Sequence, residues 1–195
     1  MNAPLIQATD FLTTTTTKAP TASSVVEALL TAEKNTKQAK ICHAYTQLLG
    51  TWRLGFITGT KKSQKRAGVI LKAGRFLPAL VKIQLTYQQS ESNSEQGTVQ
   101  NSVEIGLLQL VLTGPTQFWQ NTNILAFDFT QMKVSLGVLK LYSGYIRNGQ
   151  KREENFYKQK LKEQAFFTYF LVEDDYIAAR GKGGGLALWT KVKAS

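Results

Sequence analysis

Only one cysteine, Cys42, and one histidine, His43, occur in the 195 residues. An internal disulfide is thereby excluded, which suits a reducing compartment. A typical zinc site is excluded too, because it takes about four Cys or His ligands. The two residues are neighbours in a stretch that reads as helical, where adjacent side chains diverge by about 100°, so they do not form a nucleophile–base pair. Long apolar runs are also missing. The longest strings, such as Ile105 to Leu112, are strand length and interrupted by Gly106 and Gln109, short of the ~20 residues of a membrane-spanning helix. Acids are scarce: 13 against 24 bases, a net charge of +11. That balance favours an anionic partner (nucleic acid, an anionic lipid surface or an acidic protein), or serves solubility alone.

What is present reads as one domain with a Thr/Ser-rich lead. The Thr13–Thr17 run followed by Ala19-Pro20 is low in complexity, so residues 1–22 read as a flexible arm, ahead of a faint likeness to a transit peptide. The lead lacks a basic start followed by an apolar core, which reads against a secretory signal. From residue 23 to 195 the chain reads as a helical lead-in plus a β domain. Ser24 and Glu27 have capping-box spacing, with Val25, Val26, Leu29 and Leu30 as the apolar stripe of a first helix. A second helix is expected from Thr36 to Leu49, stopped by Gly50.

Beyond Gly50 the periodicity is that of strands. Trp52, Leu54 and Phe56 alternate with polar or small residues, and Val81, Ile83, Leu85 and Tyr87 alternate with Lys82, Gln84 and Thr86. A short strand is expected at Val69–Leu71. Val99 to Thr113 gives one or two strands, broken at Gly114-Pro115. Further strands are expected over Ile124–Thr130, Val134–Val138, Leu139–Ile146, Phe166–Leu171 and Leu186–Val192, with a charged turn at Glu173-Asp174-Asp175 and a glycine corner at 181–185. About eight to ten strands at turn-punctuated spacing, without βαβ alternation, predict a mainly β fold: an antiparallel barrel or sandwich with one or two N-terminal helices. A closed sheet of about eight strands can hold one small ligand. The expected pocket walls are Trp52, Leu54, Phe56, Val81, Ile83, Leu85, Tyr87, Phe127, Phe129, Phe167 and Tyr169.

Three segments carry a family resemblance: Gly50-Thr51-Trp52-Arg53-Leu54 after a helix, Val99-Gln100-Asn101-Ser102-Val103, and Asp175-Tyr176-Ile177-Ala178-Ala179-Arg180-Gly181-Lys182-Gly183-Gly184. Together they resemble the plastid lipid-associated protein/fibrillin family, most specifically at the two ends, with Lys182 standing where that family often has an acid. The resemblance implies a lipocalin-like barrel of cyanobacterial or plastid type, cytoplasmic or peripheral on thylakoids or plastoglobules. It implies non-enzymatic binding of carotenoids, prenylquinones such as plastoquinone, or other lipids in a photosynthetic cell, with no cofactor. The lipocalin parallel further implies that Arg180 stacks on Trp52 to close the barrel end. The alternative within the same barrel class is a phycobilin lyase-like chaperone, gripping a tetrapyrrole with carboxylates or arginines.

The bases Lys61, Lys62, Lys65, Arg66, Lys72 and Arg75 are expected at a barrel mouth, as a docking patch for an anionic membrane surface. No aromatic residue interleaves with them before Phe76, so nucleic acid is not the expected partner. Gly181 to Gly185 lies between strands with no following helix to donate amides, and reads as a turn rather than a phosphate cradle.

Overall fold

The computed structural model describes residues 3–14, 18–59 and 74–193. It contains helices α1 (Ala3–Thr13), α2 (Ala22–Ala39) and α3 (Gly149–Asn155). Its strands are β1 (Gly50–Ile57), β2 (Arg75–Phe76), β3 (Val81–Gln89), β4 (Gln96–Ile105), β5 (Leu108–Trp119), β6 (Ile124–Phe127), β7 (Gln131–Leu136), β8 (Leu139–Tyr145), β9 (Ala165–Val172), β10 (Tyr176–Gly181) and β11 (Leu186–Lys191).

Eight of these close into an antiparallel barrel, in the order β1-β3-β4-β5-β6-β9-β10-β11 and back to β1. Each barrel strand therefore lies beside the next barrel strand in the chain, the meander expected of a lipocalin-like fold, and closure leaves no barrel edge unpaired. Gly114-Pro115 does not break β5. The strand runs through, and the pair marks where β5 changes partner, from β7 up to Thr113 to β6 from Thr116. Pro115 has no N–H to give at this change of partner, and its carbonyl accepts from Asp128 N–H at 3.2 Å.

The helices cover one outer side of the barrel. Thr21, not Ser24, is the N-cap of α2, its hydroxyl accepting the Ser24 N–H. Val25, Ala28, Leu29 and Ala32 repeat at helical spacing and are buried against Phe170, Ala178, Leu186 and Leu188. The second expected helix is absent: α2 ends at Lys40 in the left-handed conformation, and only a 3-10 turn, Tyr45–Leu48, precedes β1.

Within the expected flexible arm, residues 3–13 are instead helical. Helix α1 docks on the same layer, burying Leu5 and Ala8 completely. Low complexity at Thr13–Thr17 concealed an apolar spacing just before it. Leu5→Ala should lower unfolding stability by about 2–3 kcal/mol in urea titration, where an undocked arm would give no change.

Of three register slips in the sheet, two set which face the aromatic residues of β1 and β9 take. In β1 the register slips between Leu54 and Phe56, so the alternation resets at Gly55. Trp52 and Leu54 face inward while Phe56 faces outward beneath the helices, with Phe76 against it at 5.0 Å. Phe56 is therefore not a pocket residue. In β9 a similar slip places both Phe170 and Leu171 on the outer face.

Candidate functional site

The barrel interior has a sealed base. The 3-10 turn lays Tyr45 and Leu48 across it, Tyr45 stacking on Phe118 at 5.5 Å and hydrogen-bonding Thr116 Oγ1 at 2.7 Å. Burial pushes the Tyr45 phenol up to about 12, so it stays neutral. Trp52 donates its indole N–H to Leu48 O at 2.7 Å. The cation over its ring is Lys191, 4.0 Å from the centroid, which also donates to Leu49 O at 2.6 Å. Gly50, at φ +103°, leaves room for that ammonium.

The expected Trp52–Arg180 pair does not form. Trp52 pairs with Lys191 at the base, whereas Arg180 pairs with Leu186 at the opposite end of β11 and points to the outer face. There it donates to Glu33 on α2 and, through Nη1, to Gly184 O at 2.6 Å. Lys182 donates to the carbonyls of Lys162 and Gln164 at 2.6 and 2.8 Å, ties that an acid could not make.

Above the base, Leu85, Tyr87, Phe127 and Tyr169 are buried core, and Tyr87 and Tyr169 join hydroxyl to hydroxyl at 2.8 Å. Leu54, Phe129 and Phe167 are half-buried at the upper rim, Phe167 lying 5.0 Å from Phe127 and 5.4 Å from Trp189. The lower barrel is thus packed with side chains rather than hollowed by them.

The feature that periodicity alone did not expose begins at this rim. β3, β4 and β5 continue past it, and the β7–β8 hairpin pairs with the projecting half of β5, making a five-stranded wall. Register gives its inner face row by row. The lowest row is Leu85, Asn101, Leu112 and Met132. Next comes Ile83, Val103, Leu110, Val134 and Tyr142, then Val81, Ile105, Leu108, Leu136 and Leu139. The alternate rows, on the outer face, hold Lys82, Glu104, Gln109, Ser135 and Lys140, then Gln84, Ser102, Val111, Lys133 and Ser143. One face, apolar but for Asn101 and Tyr142, is continuous with the barrel interior; the other is polar but for Val111. Ile83 and Val81, expected inside a pocket, stand on this wall.

Two polar atoms on the inner surface, Asn101 Oδ1 and Trp189 Nε1, are buried without a hydrogen-bond partner among the described residues. By contrast, clefts of about 500 and 490 Å³ lie outside the barrel and are lined by mixed polar and charged groups such as Glu33, Lys37, Arg53 and Lys82.

Among the expected membrane-surface bases, Arg75 is exposed on β2, while Lys61, Lys62, Lys65, Arg66 and Lys72 lie outside the described residues, as does the short strand at Val69–Leu71. Cys42 is exposed and His43 buried, so they present no shared site. Burial lowers the His43 imidazole below its usual 6.5. Among the described residues, no three His, Cys, Asp or Glu side chains group as metal ligands, and no helix is long and apolar enough to cross a membrane.

No family model and no curated protein matches the chain. Among solved structures it is similar to that of EF1p2_mFAP2b bound to DFHBI, at 10% identity over 76% of this chain and 97% of that one, with a TM-score of 0.35. A likeness this slight leaves function to be argued from the wall.

Proposed function

We propose that the protein is a non-enzymatic carrier of an apolar small molecule, a lipid or isoprenoid of the carotenoid or prenylquinone kind, held on the inner face of the wall where it meets the barrel. The observation that supports this reading is the wall itself. Three consecutive rows of apolar side chains continue a barrel interior yet stand half-open to solvent above a filled base. Apolar ligands need area and few polar anchors. Trp189 Nε1–H and Asn101 Oδ1 offer one donor and one acceptor to an oxygen-bearing ring. The rows hold Asn101 and Tyr142 as their polar members and no cation for a tetrapyrrole's propionates, which favours the isoprenoid over the bilin reading. The resemblance in the terminal motifs adds thylakoid or lipid-droplet surfaces as its place of work.

Decylplastoquinone, a soluble prenylquinone analogue, should quench the fluorescence of the interior tryptophans saturably. Leu110→Lys combined with Val134→Lys should weaken that quenching at least about tenfold while circular dichroism stays unchanged. Absence of saturable quenching by the unmodified protein would overturn the proposal.

A further inference from the structure

We infer that the free rim of the wall is a docking surface for an anionic lipid bilayer, with Leu80, Leu107 and Val138 as the inserting side chains. Leu107 forms the β4–β5 tip and Val138 the β7–β8 tip. Gly137 N–H donates to Leu107 O at 2.8 Å, which holds the two tips side by side. Leu80 precedes Val81, the partner of Ile105, and so stands at the same level. Leu80 is 85% exposed, Leu107 73% and Val138 fully. Each hairpin turns through a glycine at positive φ, Gly106 at 59° and Gly137 at 56°, with open space around it, so the adjoining Leu and Val project from tight turns. Ile105, Leu108, Leu136 and Leu139, all exposed, join them into one contiguous apolar edge, unlike the scattered single residues of an ordinary surface.

The charges beside this edge select the occupant. One register step behind it, on the outer face, stand Lys82 and Lys140, with Lys133 three steps behind; Glu104 is the acid of these rows and accepts from Gln109. Apolar tips backed by lysines suit a surface with acyl chains beneath anionic headgroups, where the ammonium groups reach the phosphates. A second copy docked tip to tip would bring those lysines together, which disfavours self-association.

This deepens the carrier reading, since a ligand drawn from a bilayer would enter the apolar face at this rim, but it rests on the tips rather than on the rows beneath. The full chain should co-sediment with vesicles of phosphatidylglycerol and phosphatidylcholine, and far less with phosphatidylcholine alone. Leu107→Ser with Val138→Ser should reduce that binding at least about tenfold, and Lys82→Glu with Lys140→Glu should reduce it as well. Quinone quenching without vesicles should be unaffected in both. A solvent-sensitive dye on Val138→Cys, in a Cys42→Ser background, should shift to the blue on vesicles. The same dye on native Cys42 should not, because Cys42 lies beside Asn123 at the other end of β5, roughly 35 Å away.

Failure of the unmodified protein to bind anionic vesicles, or equal binding by the tip variant, would overturn the inference. A dimer that the tip variant dissolves would overturn it in favour of contact between copies. Vesicle binding with no quinone quenching would support the rim while removing the carrier reading.

Discussion

Arg180→Ala is expected to destabilise the protein by about 2–4 kcal/mol and to loosen α2 from the barrel, as measured by urea unfolding at neutral pH. The Glu33 side chain, 9% exposed, receives both Arg180 Nε, at 2.8 Å, and Nη2. Removing the arginine leaves a buried carboxylate whose remaining partner is the exposed Lys37, at 2.9 Å. It also leaves the Gly184 carbonyl without its guanidinium donor. Lysine at position 180 should not restore the loss, because an ammonium cannot engage both carboxylate oxygens and the turn carbonyl in one plane.

The pair also sets an acid limit. The Arg180 hydrogen bond, stronger than the opposing effect of burial, holds the Glu33 carboxyl below its ordinary 4.5. A carboxyl lowered in the folded state contributes fully above 4.5 and loses that contribution as pH falls below it. Arg180→Ala should therefore flatten the dependence of stability on pH below 4.5, and an unchanged acid limb would show that the pair contributes nothing.

Gly114→Val is expected to have an effect of similar size, at least about 3 kcal/mol, by a different route. A Cβ at residue 114 would lie 2.1 Å from the Asp128 carbonyl oxygen, a backbone atom that cannot swing aside. The 128–130 segment is itself held on both sides. Thr130 N–H donates to Thr113 O at 2.9 Å, Arg152 Nε of α3 donates to Asp128 Oδ2 at 2.9 Å, and Glu153 accepts from Thr130 Oγ1 at 2.6 Å. Relief would have to come from parting β5 from this crossing, where the sheet divides between barrel and wall. Hydrogen exchange should then show β7–β8 protection lost before that of β9–β11, and uniform loss would contradict this account.

Much of the architecture was legible in the residues. Period-two alternation over Val81–Tyr87 placed Leu85 and Tyr87 inward, and the turn-punctuated spacing indicated a closed antiparallel sheet. The acidic turn and the glycine corner fall where they were expected, between β9 and β10 and between β10 and β11. Phe56 was misplaced because one extra residue in a bulged strand reverses every later side chain, and no local pattern announces it. The helix expected over Thr36–Leu49 failed because Lys40 takes a left-handed cap, which helical propensity does not forbid to a lysine.

The class of fold, the inward-facing aromatics of β3, β6 and β9, and the apolar character of the strands that build the wall all follow from the residues alone. Those properties are local, written in alternation and turn chemistry. That Glu33, 147 residues away, and not Trp52, is the partner of Arg180 emerges only in the folded chain. Only it showed that Lys191 closes the base, and that five strands align their apolar faces beyond the barrel rim. Such pairings depend on register between distant segments, and register is set by closure of the whole sheet rather than by any stretch of it.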